Sequence, residues 1–216
     1  DVNDVGSFDA NQSGLIRENV VLNRTWKATD RNLLFSLVVH PCSSYKSSRM
    51  MIPTSLAMVS SLYHYWRGSL VYRFYFGCNA FTTGKLHVGA IPGAFITENP
   101  DSRIVMGLGG TVFDLSDSKP YYEFSVPFFG IGYKQRTCRS YMFDSMFYGE
   151  DVVTRMHAWI VDPLITNVGA TEEIYLCVTV QPGDDFMLDC PRGMLYGVPA
   201  MKVIPEADVV AERINT

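Results

Sequence analysis

No apolar run in the sequence approaches the roughly 18 residues that a membrane helix needs, so no membrane span is expected. No CxxC pair occurs among the five cysteines, Cys42, Cys78, Cys138, Cys177 and Cys190. An odd count without paired spacing argues against a disulfide framework and suits free, mostly buried thiols in a reducing compartment. Charge is scarce at 19%, which argues against disorder. The net charge of -4 gives no bulk attraction to nucleic acid or an anionic membrane.

Signatures of common chemistry are missing too. In GCNAFTTGKL, six residues separate Gly77 from Gly84 where a P-loop needs about four, and Leu86 stands in place of Ser or Thr. GLGG (107–110) is too short for a dinucleotide fingerprint, and no serine sits in GxSxG. His40, His64, His87 and His157 show no HxH or HxxxH spacing, so no metal and no cofactor is expected. His64 is read as a packing or capping residue of a helix. The first residues, DVNDVGSFD, are acidic and do not read as a signal peptide. The sequons Asn11-Gln-Ser13 and Asn23-Arg-Thr25 are therefore read as chance matches.

What is present is material for a core. Of 216 residues, 47% are hydrophobic and 13% aromatic, enough for one all-β domain. Short alternating runs recur between Gly, Pro, Asn, Asp and Ser. In RGSLVYRFYFG (67–77), Leu70, Tyr72, Phe74 and Phe76 share one face. KLHVGAIP (85–92), YYEFSVPF (121–128) and EIYLCVTV (173–180) alternate in the same way. MHAWIVDP (156–163) is apolar on both faces, as a central strand is. With 20–28, 33–39 and 110–116, the count is eight strands. PTSLAMVSSLYHYW (53–66) differs, with apolar residues at helical spacing behind Pro53 and Thr54. It predicts a helix of about three turns feeding directly into a strand. A second short helix is expected near 98–107.

Eight strands without intervening helices predict two packed antiparallel sheets, the arrangement of a jelly roll. The domain is expected over 20–188, between an N-terminal extended segment (1–19) and a C-terminal extended arm (189–216). Residues 129–154 carry Phe129, Tyr133, Tyr141, Phe143, Phe147 and Tyr148, too many aromatics for a solvated loop. Both that loop and the arm are surfaces that need a neighbour.

The last predicted strand ends in QPGDDF (181–186), which raises the question of its two acids. Asp184 and Asp185 are adjacent on an extended chain and point to opposite sides. Alone they cannot form an aspartic dyad, whose carboxylates lie about 3 Å apart. One could still act as a base with a partner chain. The structural reading is a turn: Pro182 and Gly183 end strand pairing, an aspartate bonds nearby N–H groups, and Phe186 plugs the sheet edge.

In this order the segments resemble the major capsid proteins of picorna-like viruses, of the dicistrovirus, iflavirus and marnavirus groups. The resemblance is carried by YWRGSLVYRF (65–74), TGKLHVGAIPG (83–93), GTVFDLSDSKPYYEFSVPF (110–128), WIVDPL (159–164) and EEIYLCVTVQPGDDF (172–186). It implies an eight-stranded jelly roll that assembles with sister capsid proteins into an icosahedral shell around positive-strand RNA. Assembly would take place in host cytoplasm, with the virion as destination and a host receptor as a possible partner. In insect members an Asp-Asp-Phe triplet is proposed to assist the maturation cleavage of a capsid precursor. Asp184, Asp185 and Phe186 match it, so both readings of the turn stay open. The resemblance otherwise implies no enzymatic activity. Contact with genomic RNA is expected to be weak or indirect, because residues 1–19 hold Asp1, Asp4, Asp9 and Glu18 against Arg17, a net of -3.

Two other classes compete. A carbohydrate-binding jelly roll needs exposed aromatic platforms, yet Trp26, Trp66 and Trp159 fall within predicted elements. A cupin-type enzyme needs clustered His and Glu ligands, which the spacing does not provide.

Overall fold

Alternating sequence becomes two facing sheets. The computed structural model describes residues 8–9, 17–46, 51–79, 81–92, 107, 109–117, 119–130, 132–137, 154–166 and 172–192. The first strands are β1 (Phe8–Asp9), β2 (Asn19–Lys27), β3 (Leu33–Val39), β4 (Ser44–Lys46) and β5 (Met51–Pro53). Helix α1 (Ser55–Ser60) precedes β6 (Tyr63–Arg67), β7 (Leu70–Gly77), β8 (Thr83–Ile91) and β9 (Thr111–Asp114). A 3-10 turn (Leu115–Asp117) leads to β10 (Tyr122–Val126) and β11 (Gln135–Arg136). The last strands are β12 (Thr154–Ile165), β13 (Glu173–Pro182) and β14 (Met187–Pro191).

Two antiparallel four-stranded sheets form the sandwich, ordered β10-β7-β13-β2 and β3-β12-β8-β9. Along these eight strands the chain crosses between sheets at every step except from β8 to β9. This is the connectivity of a jelly roll. The eight strands are those expected from the alternation. Leu70, Tyr72 and Phe74 of β7 and Ile174, Leu176, Val178 and Val180 of β13 are buried. Phe74 reaches across the sandwich, its ring 5.0 Å from Phe113 and 6.3 Å from Phe35 of the facing sheet. Trp26 lies edge-on to Phe76 at 6.4 Å.

Three expectations need correction. The helix over 53–66 is much shorter. Thr54 caps it, its hydroxyl accepting from the Ala57 N–H at 2.9 Å. It stops at Ser60 because the following run, Tyr63-His64-Tyr65-Trp66, has partners on both sides as strand β6. Met58 and Leu62, apolar residues within that run, are exposed. His64 is thus an exposed strand residue whose carbonyl accepts from Thr137 N–H at 2.9 Å. Finally, strand pairing does not end at Gly183. It resumes in β14, which runs past residue 188 to Pro191 within a further sheet ordered β1-β14-β6-β11. The helix expected near 98–107 and most of the aromatic loop and C-terminal arm lie outside the described residues.

On the outer face of the first sheet, Glu18 ties the chain entering β2 to β7 and β13. Its carboxylate accepts from Tyr75 Oη at 2.7 Å and from Thr179, and pairs with Arg73 at 3.2 Å. Arg73 also pairs with Glu123 of β10 at 2.9 Å. Burial alone pushes the Glu18 carboxyl up, but the hydrogen bonds and the Arg73 charge outweigh it and hold the group below its usual value.

The core makes a direct prediction. Phe74→Ala leaves a void between the sheets and is expected to cost about 3–5 kcal/mol, read from denaturant unfolding. An unchanged midpoint would contradict the packing.

Candidate functional site: the Gly183–Phe186 clasp

The two acids sit in a bulge between two pairings of one ribbon. Leu70 pairs with Pro182, and Arg67 pairs with Met187. Two residues, 68 and 69, therefore face four, 183–186. The extra length is absorbed by close backbone approach and specific hydrogen bonds. Gly183 N–H donates to Ser69 O at 2.9 Å, and Phe186 N–H donates to Gly183 O at 3.1 Å. Gly68 has φ +98°, and a Cβ there would lie 2.2 Å from the Asp185 carbonyl oxygen. Only glycine fits both demands.

The adjacent acids are not equivalent. Asp185 Oδ1 accepts from Ser69 N–H at 2.8 Å and from the Ser69 hydroxyl. These hydrogen bonds, ahead of the Arg67 charge, hold its carboxyl below the usual value of 3.8. Asp184 is exposed. Phe186 is fully buried, stacked at 6.1 Å on Trp66, which meets Phe128 edge-on at 5.1 Å and His40 at 5.6 Å. His40 is itself fixed. Its Nδ1 accepts from Cys42 N–H at 3.1 Å and its Nε2 lies 3.2 Å from Arg136 O. Burial pushes its pKa down to about 4, so the ring is neutral.

A groove of about 560 Å³ opens over the clasp, bordered by Arg67, Phe128, Tyr133, Asp184, Asp185 and Met187. The Arg67 guanidinium lies 4.5 Å from the centre of the Tyr133 ring. Its Nη2 donates to Met187 Sδ at 3.0 Å. Lys134, next to Tyr133, pairs with Asp189 of β14 and ties this wall to the ribbon. Asp184, Asp185 and Phe186 are thus brought together, while Arg67, Ser69 and Tyr133 are contributed by segments that sequence reasoning had not attached to them. The signal for Ser69 and Gly68 was the GS pair breaking an otherwise continuous strand.

Other candidates do not converge. His64 is exposed in β6, His87 lies in β8 and His157 in β12. Among the described residues no group of three or more His, Cys, Asp or Glu is arranged to hold a metal. Trp26, Trp66 and Trp159 are buried and present no stacking platform. Cys42, Cys78, Cys177 and Cys190 are free thiols.

Comparisons with known proteins agree in one direction. The sequence model of a family described as calicivirus coat protein matches residues 45–211. The genome polyprotein of Rice tungro spherical virus (strain Vt6) is 32% identical over 184 residues, 85% of this chain and 5% of that protein. The chain therefore spans a small part of the curated relatives it matches. A solved structure of deformed wing virus carrying the GFP gene superposes with a TM-score of 0.71 at 26% identity, covering 86% of this chain and 49% of that one. The structure of black queen cell virus shares the fold, with a TM-score of 0.71 at 20% identity over 87% of this chain and 77% of that one.

The clasp makes the acid limb of stability testable. Because the folded value of Asp185 is depressed, its contribution is fully present above 3.8 and is lost as pH falls through the lower folded value. Asp185→Asn is expected to lower stability at neutral pH and to flatten the loss in acid. A mutant whose melting temperature tracks that of the unaltered chain at every pH would show that the hydrogen bonds to Ser69 contribute nothing.

Proposed function

Because the chain belongs to the calicivirus coat protein family, its role is that of a structural shell subunit, and we propose that it closes an icosahedral shell with sister coat chains. The jelly roll shared with solved virus capsids carries this reading. Exposed apolar side chains support it. Phe81, Ile165 and Tyr175 stand exposed at one end of the sandwich, where β7, β8, β12 and β13 turn, and would gain burial against a neighbour. Electron microscopy of particles from the co-expressed coat region is the test. Closed shells containing this chain are expected, and soluble monomers alone would overturn the proposal. With a net charge of -4, the chain is expected to touch genomic RNA only weakly. Salt-sensitive binding by the isolated chain tighter than about 1 μM would contradict this.

The Asp-Asp-Phe turn supports a second, narrower role in precursor maturation, with the labour divided. Asp185 holds the turn through Ser69, and Asp184 stands at the groove and acts on a partner chain. Asp184 would take a proton from water, whose oxygen then bonds to the carbonyl carbon of the scissile peptide. The expected outcome is that Asp184→Asn leaves particles assembled and the precursor uncleaved, whereas Asp185→Asn lowers stability. A gel of purified particles reads the precursor band. Normal cleavage in both single mutants and in the double mutant would leave the turn as a structural device alone.

A further inference from the structure

We propose that Arg67 is the electrophilic group of this groove, receiving the carbonyl oxygen of the peptide bond that Asp184 acts on. The inference rests on the maturation reading and deepens it by naming the group opposite the base and the kind of ligand the groove takes: an extended main-chain segment of a sister coat chain.

The observations concern how Arg67 is held. It is the last residue of β6, paired across the ribbon with Met187 at the edge of the clasp. A guanidinium beside two aspartates would ordinarily form an ion pair, yet among the described residues Arg67 forms none. Its contacts are soft instead: the Tyr133 ring at 4.5 Å and the Met187 sulfur at 3.0 Å. Sulfur is a weak acceptor and a ring face accepts little, so among the described residues most of its five N–H donors are unspent. The same contacts hold the group between the Tyr133 ring and the Met187 sulfur. Its charge still reaches the turn, where it helps to keep the Asp185 carboxyl low after the hydrogen bonds from Ser69. The wall beside Tyr133 is Gly132, where an added Cβ would meet nothing closer than 3.7 Å. That side of the groove, which Gly132 and Arg67 both border, is thus not narrowed by a side chain at position 132.

This arrangement answers the electronic demand of amide hydrolysis. As Asp184 takes a proton from water, the water oxygen bonds to the carbonyl carbon and the carbonyl electron pair moves onto oxygen. A preorganised cationic donor stabilises that developing charge. When the intermediate collapses, the pair returns, the C–N bond breaks, and the nitrogen leaves with the proton that Asp184 had taken. One water is consumed, and one carboxyl and one amine are formed. Arg67 transfers no proton.

The test compares precursor cleavage over time in particles carrying Arg67→Ala, Arg67→Lys, Tyr133→Leu or Asp184→Asn. Arg67→Ala is expected to assemble and to cleave about 10²–10³-fold more slowly, with Arg67→Lys intermediate. Guanidinium ion, added well below denaturing concentration, is expected to restore part of the rate in Arg67→Ala and none in Asp184→Asn, a rescue that lost packing alone would not give. Tyr133 is exposed, so Tyr133→Leu loosens the guanidinium without touching the core; it is expected to slow cleavage even if Arg67→Ala fails to assemble. Unaltered cleavage in Arg67→Ala, or in Tyr133→Leu where Arg67→Ala yields no particles, overturns the role of Arg67 alone. So does a slow Arg67→Ala that guanidinium fails to rescue. Unaltered cleavage in Asp184→Asn overturns the maturation reading, and this inference with it.

Discussion

Two residues facing four across one ribbon is the constraint on which the candidate site depends. The mismatch forces the Gly183–Phe186 bulge, and the bulge is held by Ser69 from the β6–β7 connection opposite. Close backbone approach then requires Gly68. Because the turn is fixed, Phe186 is delivered inward onto Trp66, and Trp66 in turn meets Phe128 and His40. The Asp184 side of the same turn borders the groove. Core plug and groove are thus two sides of one backbone feature. A change that relaxes the clasp reaches both.

The eight sandwich strands were legible because half-buried strands write their burial into the sequence with period two. Leu70, Tyr72 and Phe74, or Ile174 to Val180, can be assigned to a face by counting. The helix was misjudged for the opposite reason. Leu56, Val59 and Tyr63 keep a helical spacing that continues past the helix end, and only pairing with β14 and β11, remote in sequence, turns Tyr63–Arg67 into strand. Two-residue strands such as β1 and β11 carry too few positions for any period to show. At the site, the sequence placed Asp184, Asp185 and Phe186 in a turn and made the acids unequal. It left open which acid holds the backbone, since that depends on Ser69, 116 residues away. Arg67 and Tyr133 meet only through tertiary structure, so no local pattern could join them.

A coat subunit is selected for surfaces that fit neighbours, and chemistry asked of it occurs once per chain. That relaxes the usual demands on an active site. No substrate needs to dissociate, and effective concentration within an assembly replaces affinity. The proposed cleavage, in a groove bordered by Asp184, Asp185 and Arg67, would be such a single event. The polar network of Glu18, Arg73, Tyr75, Thr179 and Glu123 has the complementary role of fastening the entering chain to the sheet.

The unequal lengths at the clasp also act as an index mark. A β ribbon with uniform spacing can slip by residues and still satisfy its ladder, at the cost of exchanging inner and outer faces. Here a slipped β13 would carry Asp185 away from Ser69 and drive another backbone group against Gly68. The bulge therefore admits one alignment of β7 with β13 and, through the same four residues, one alignment of β6 with β14. A strand lacking the matching Gly68–Ser69 step could not take the place of its partner without losing these contacts.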